Sequence, residues 1–135
     1  NVNYSGKSDI YRAIKSYRTI TGRGITVVIS DLFSEGNFSN LLKHLKYYKQ
    51  AVYICHILSP QEIHPVINES VRLVDSETDE ILDITVTPSL LNSYNKALNS
   101  FKSRIEQECI KWGAHYFNFS SELAIEEMVK EVAEH

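Results

Sequence analysis

The sequence predicts an α/β domain: a mostly parallel sheet with helices on both faces and one antiparallel hairpin. Three observations lead there. First, short apolar runs rich in β-branched residues recur, Gly24-Ile25-Thr26-Val27-Val28-Ile29 the plainest, and such runs read as strands buried on both faces. Second, stretches with apolar residues at helical spacing alternate with them, the order expected of parallel strands joined by crossover helices. Third, two strand-like runs, 71–75 and 81–86, are separated only by the polar stretch 76–80. That connection is too short for a crossover, so the pair is antiparallel.

Each element has its own signal. Ser8 stands as an N-cap; Ile10, Ala13, Ile14 and Tyr17 follow at helical spacing, and Gly22 stops the helix. Residues 25–30 form the first strand. Phe38, Leu41, Leu42 and Leu45 mark the inward stripe of the next helix. Residues 52–58 form a second buried strand, ended by Ser59-Pro60. After the hairpin, Thr87-Pro88 joins a capping hydroxyl to a proline at the first helical position. The helix from there to Trp112 carries Leu91, Tyr94, Leu98, Phe101 and Ile105 on one stripe, and Gly113 ends it. Residues 116–119 form a third parallel strand. Ser120 or Ser121 caps the last helix, with Ile125, Met128, Val129 and Val132 turned inward.

The 135 residues suit one domain, 1–135, and 43% apolar residues are enough for a core. A net charge of −3 lacks the basic excess of a nucleic-acid footprint. Cys55 and Cys109 lie far apart in apolar settings, which fits buried thiols in a reducing, cytoplasmic compartment. No apolar run approaches the ~20 residues that cross a membrane. The opening Asn1-Val2-Asn3, without Met, reads as an excerpt of a longer protein.

Asp31 is the first candidate for chemistry. It follows the first strand directly, at the carboxyl end where parallel sheets hold their ligands. Three roles suit it there: ligand of a hard cation such as Mg²⁺, phosphate acceptor, or brace of its own loop. Ser8 offers a hydroxyl at a helix start, which an ordinary N-cap explains equally. Cys55 and His56 are adjacent on a strand and point to opposite faces, so they form no dyad. His56 reads as a satisfied histidine near a strand end. The acidic residues Glu62, Asp75, Glu77, Asp79, Glu80 and Asp83 lack the EF-hand spacing and read as a solvated turn. Tyr47, Tyr48 and Tyr53 read as core and rim packing. Phosphate-loop, dinucleotide and nucleophile-elbow motifs are absent. No catalytic set and no bound cofactor are therefore expected.

In its order of motifs the chain resembles the C-terminal part of a von Willebrand factor A-type domain. The nearer likeness is to the bacterial family called domain of unknown function fifty-eight. The residues that carry it are Gly6-Lys7-Ser8-Asp9, then Ile25-Thr26-Val27-Val28-Ile29-Ser30-Asp31-Leu32, then 52–62 and 71–78, with Tyr94 and Cys109 on the long helix. The likeness spans nearly the whole chain. It implies a Rossmann-like sheet whose first strand the chain lacks. It also implies a non-catalytic role beside a MoxR-type AAA+ ATPase, in the assembly or activation of other proteins. A-type domains often carry a metal-ion-dependent adhesion site. Ser8 stands where that site has a Thr, and Asp31 where it has its later Asp. The Asp-x-Ser-x-Ser piece is missing, so the resemblance gives an incomplete metal site and weak Mg²⁺ binding at most.

Two rival readings use the same residues. One is a phospho-acceptor receiver domain with Asp31 as acceptor, which lacks the paired acids and later Lys of that fold. The other is a small hydrolase using Asp31 and His56, neighbours across adjacent parallel strands, for which no nucleophile is evident. Loss of the first strand also leaves 25–30 as an apolar edge, so a homodimer through that edge strand is expected.

Overall fold

Three parallel strands form the centre of the computed structural model, which describes residues 10–16, 22–33, 36–65, 70–74, 81–85 and 87–135, with the backbone alone at 70–74 and 81–84. The strands are β1 (Gly24–Ser30), β2 (Gln50–Leu58) and β5 (His115–Ser120), in the spatial order β1-β2-β5. Ile25 pairs with Ala51 and Ser30 with His56; Tyr53 pairs with His115 and Leu58 with Ser120. The helices are α1 (Ile10–Ser16), α2 (Phe38–Tyr47), α3 (Pro60–Ile63), α4 (Pro88–Trp112) and α5 (Ile125–Ala133). A separate pair, β3 (Ser70–Val74) and β4 (Ile81–Thr85), is antiparallel. The connection predicted at 76–80 lies outside the described residues, as does Ser8.

The two faces of the sheet are covered unequally. On one, Val28, Val52 and Ile54 meet Phe38, Leu41, Leu42 and Leu45 of α2 and Ile105 and Cys109 of α4. Ile10, Tyr11 and Ile14 of α1 pack against the same cluster. Leu41, Leu42 and Leu45 are fully buried, each worth roughly 1.5–3 kcal/mol over an exposed position. On the other face, Cys55, Phe117 and Phe119 are buried beneath Leu123 and the Met128 and Val132 side chains of α5. That cover does not extend to β1. Ile25, Val27 and Ile29 are 72%, 49% and 70% exposed. The expectation of a first strand buried on both faces is therefore corrected: among the described residues, only its even-numbered side meets a helix layer.

Local signals place the helices. Thr87 accepts a hydrogen bond from the Leu90 N–H at the start of α4, and Gly113 ends it in the left-handed region at φ 67°, where glycine has no Cβ to clash. α3 was not foreseen, although Ser59-Pro60-Gln61-Glu62 spells a capping box. The Ser59 N–H donates to Glu62 Oε2 at 2.6 Å, and the Glu62 N–H donates to Ser59 Oγ at 3.2 Å. The Tyr94 hydroxyl donates to the Glu62 carbonyl at 2.6 Å and ties α4 to this turn. The start of α5 is a second correction. Ser120 closes a turn by accepting from the Glu122 N–H, and Ala124 stands at the N-cap without a side-chain bond. Ile125 and Val129 are exposed, not inward. Tyr47 is exposed as well.

Candidate functional site

The carboxyl ends of the parallel strands bring Asp31, His56, Tyr116 and Asn118 together. Ser30, His56 and Asn118 share one register row, and Tyr116 lies two residues before Asn118 on the same side of β5. His56 is fully buried. Its Nε2 donates to the main-chain carbonyl of Asp31 at 2.8 Å. A carbonyl only accepts, so Nε2 carries the proton of the neutral ring and Nδ1 is the acceptor. The Tyr116 hydroxyl donates to Nδ1 at 2.9 Å, and Asn118 Nδ2 donates to that hydroxyl at 3.2 Å. The result is one directed chain, Asn118 to Tyr116 to His56 to the loop after β1.

Electrostatics favour the neutral ring. Burial pushes the His56 pKa below its ordinary value, and Lys102 nearby adds to this. The hydrogen bond to the Asp31 carbonyl and the charges of Asp31 and Glu62 act the other way. Burial likewise raises the Tyr116 hydroxyl, against the Asn118 hydrogen bond. Both ring nitrogens of His56 are engaged, which leaves no free lone pair to accept a proton.

Asp31 serves its own loop. Its Oδ1 accepts from the Phe33 N–H at 3.1 Å, while Ser30 Oγ accepts from the Leu32 N–H at 3.0 Å. These side chains replace the ladder bonds lost where the strand ends. Leu32 is held at φ 61° with its side chain 1% exposed. Phe33 stacks on Phe101 of α4 at 5.4 Å, and Phe101 meets the His56 ring edge-on at 5.7 Å. Residues 31–33 are thus held by turn bonds, a buried leucine and an aromatic stack.

The structure joins Asp31 to His56 as the hydrolase reading required, but through the peptide carbonyl and not the carboxylate. Cys55 lies on the opposite face with Phe117 and Phe119, as the adjacent-residue argument demands. Burial raises the thiol of Cys55, and burial with Glu106 and Glu108 pushes Cys109 up to about 12. Of the two metal-ligand candidates, Ser8 lies outside the described residues and Asp31 already holds its loop. Among the described residues no group of three or more His, Cys, Asp or Glu side chains is placed to hold a metal ion.

Two participants escaped the sequence reading. Tyr116 and Asn118 alternate with Phe117 and Phe119, and that period of two was the available signal. Gln50 was also missed. It is 8% exposed, donates through Nε2 to the Gly22 carbonyl at 2.7 Å, and accepts from the Thr26 hydroxyl at 3.0 Å.

Opposite the α2–α4 layer lies a different kind of surface. Ile25, Val27 and Ile29 form an exposed apolar row on β1, and Ile125 and Val129 are exposed on α5. No described helix is long and apolar enough to cross a membrane. Comparison with protein-family models, with curated proteins and with solved structures returns no match for this chain.

Proposed function

We propose that the chain is a non-catalytic protein-interaction module of von Willebrand A type, working with a MoxR-type AAA+ ATPase in the assembly or activation of other proteins. The observation that carries the reading is the exposed row Ile25, Val27 and Ile29 on a sheet face, because open apolar rows on folded domains mark interaction surfaces. The engagement of both His56 nitrogens and of Asp31 Oδ1 in bracing the loop supports it further. The order of motifs from Gly6 to Cys109, through the resemblance it carries, supports the family and the class of partner proposed. In this reading Ser8 and Asp31 are two ligands of an adhesion-type metal site whose Asp-x-Ser-x-Ser segment the chain does not contain.

The test is binding of the purified chain to the MoxR-type ATPase encoded nearest to it, measured by biolayer interferometry. Saturable binding by the wild type, lost in Ile25→Asp/Ile29→Asp with the circular dichroism spectrum retained, is the expected result. No binding by the wild type, or binding that the double variant leaves unchanged, overturns the reading.

A further inference from the structure

β1 is an outer strand of the three-stranded sheet among the described residues. An outer strand presents a row of backbone N–H and C=O groups along its free side. Natural edges are blunted by proline, by charges along the strand or by bulges. Gly24–Ser30 has no proline and no charge, and its pairing with β2 runs from Gly24 to Ser30 without a bulge. Charges stand only at its two ends. Arg23 precedes it and Asp31 follows it, both exposed, each four residues from Val27.

That symmetry selects a partner. Two identical strands meeting about a two-fold axis must run antiparallel, because the interface is self-complementary. With the axis through Val27, Val27 faces its own copy and Ile25 faces Ile29. Arg23 of each copy then lies opposite Asp31 of the other. Both ends carry opposite charges, no like charges meet, and the β-branched pairs are of the kind that support antiparallel sheets. We infer that the free edge of β1 binds the β1 edge of a second copy of this chain, in antiparallel register centred on Val27. The two three-stranded sheets join into one of six strands. With the axis normal to the sheet, the Ile25, Val27 and Ile29 rows of both copies lie on the same side. A strand pair of this length is small beside standard interfaces of ~800 Å² per partner, so a dimer of micromolar affinity is expected. The pairing uses the backbone edge and leaves the apolar row open. It therefore stands independently of the ATPase reading, whose test is a different binding partner.

Sedimentation velocity on the full chain from low to high micromolar concentration tests it, with circular dichroism as the check on folding. A concentration-dependent dimer is expected. Arg23→Glu or Asp31→Lys alone sets like charges against each other at both ends and weakens the dimer, on the order of tenfold. An equimolar mixture of the two variants restores opposite charges at both ends and regains the wild-type affinity as a mixed dimer. Because Asp31→Lys also removes the brace on Phe33, Val27→Cys is the second measurement. Across the axis its thiols form a disulfide dimer on mild oxidation. A chain monomeric throughout, a dimer indifferent to Arg23→Glu, a mixture no tighter than its components, or a Val27→Cys variant that forms no disulfide dimer each overturns the proposal. The first of these outcomes leaves the edge to a strand of another protein or to residues of the same chain.

Discussion

His56 and Asp31 are joined side chain to main chain: Nε2 of His56 donates to the Asp31 carbonyl at 2.8 Å from a ring with no solvent exposure. The bond crosses from β2 to the residue where β1 ends. The second ring nitrogen, Nδ1, accepts from the Tyr116 hydroxyl on β5. Replacing His56 by Ala strips both partners and opens a cavity beside Phe101, so a loss of about 3 kcal/mol is expected. Urea unfolding followed by tryptophan fluorescence measures it, and a loss under about 1 kcal/mol contradicts a bracing role.

The same histidine makes stability depend on pH. Its folded pKa lies below the ordinary value of 6.5. Between those two values the unfolded chain holds a proton that the folded chain does not, so folding weakens as pH falls. The contribution of neutral His56 is complete above pH 6.5 and is lost as pH drops from there toward the folded pKa. One such group accounts for at most about 1.4 kcal/mol per pH unit. Unfolding free energies at about pH 7.5, 6.5 and 5.5 should fall in that order, and His56→Gln should flatten the slope. An equal slope in the variant assigns the effect to other groups.

Lys49 is exposed and sits at φ 58°, one residue past the Tyr48 cap of α2. This is the position where helices favour glycine, since a Cβ in the left-handed region costs about 1 kcal/mol. Lys49→Gly is expected to stabilise the fold by up to about 0.5 kcal/mol after its greater unfolded-state entropy is counted. A lower thermal midpoint in the variant shows that Lys49 makes a compensating interaction.

Gln50 and Gly24 are expected to be coupled. The Gln50 amide bridges Gly22 and Thr26, and a Cβ added at Gly24 would lie 3.0 Å from its Oε1. Gln50→Ala, which leaves the Gly22 carbonyl and the Thr26 hydroxyl without this partner, should cost about 2 kcal/mol. Gly24→Ala should cost about 1 kcal/mol because the amide must move from both partners. In the double variant the clash is gone, so the combined loss should be smaller than the separate losses together. Strict additivity in a double-mutant cycle removes the coupling.

Most of the secondary structure was legible because it rests on local physics. The stripe Phe38, Leu41, Leu42 and Leu45 is a helix repeat whatever surrounds it, and all four side chains are buried. Thr87-Pro88 and Gly113 bound α4 through backbone dihedrals and donors that belong to those residues alone. The parallel arrangement of β1, β2 and β5 follows from helical runs between apolar runs. The candidate site was legible only in its strand-end position. Asp31 could be placed at a carboxyl end, but whether its carboxylate would stay open or brace the loop depended on where the Phe33 N–H came to lie.

The tertiary structure alone decided what covers each face. The run Ile25–Ile29 is apolar on both sides in sequence, and burial of its odd-numbered side depends on a helix arriving from elsewhere in the chain. α5 lies over Cys55, Phe117 and Phe119 instead. His56 shows the same division. Its type and strand position were readable, yet its partners, the Asp31 carbonyl and the Tyr116 hydroxyl, lie 25 and 60 residues away. Periodicity carries information over a few residues, whereas a hydrogen bond across neighbouring strands is set by register, which exists only once the sheet has formed.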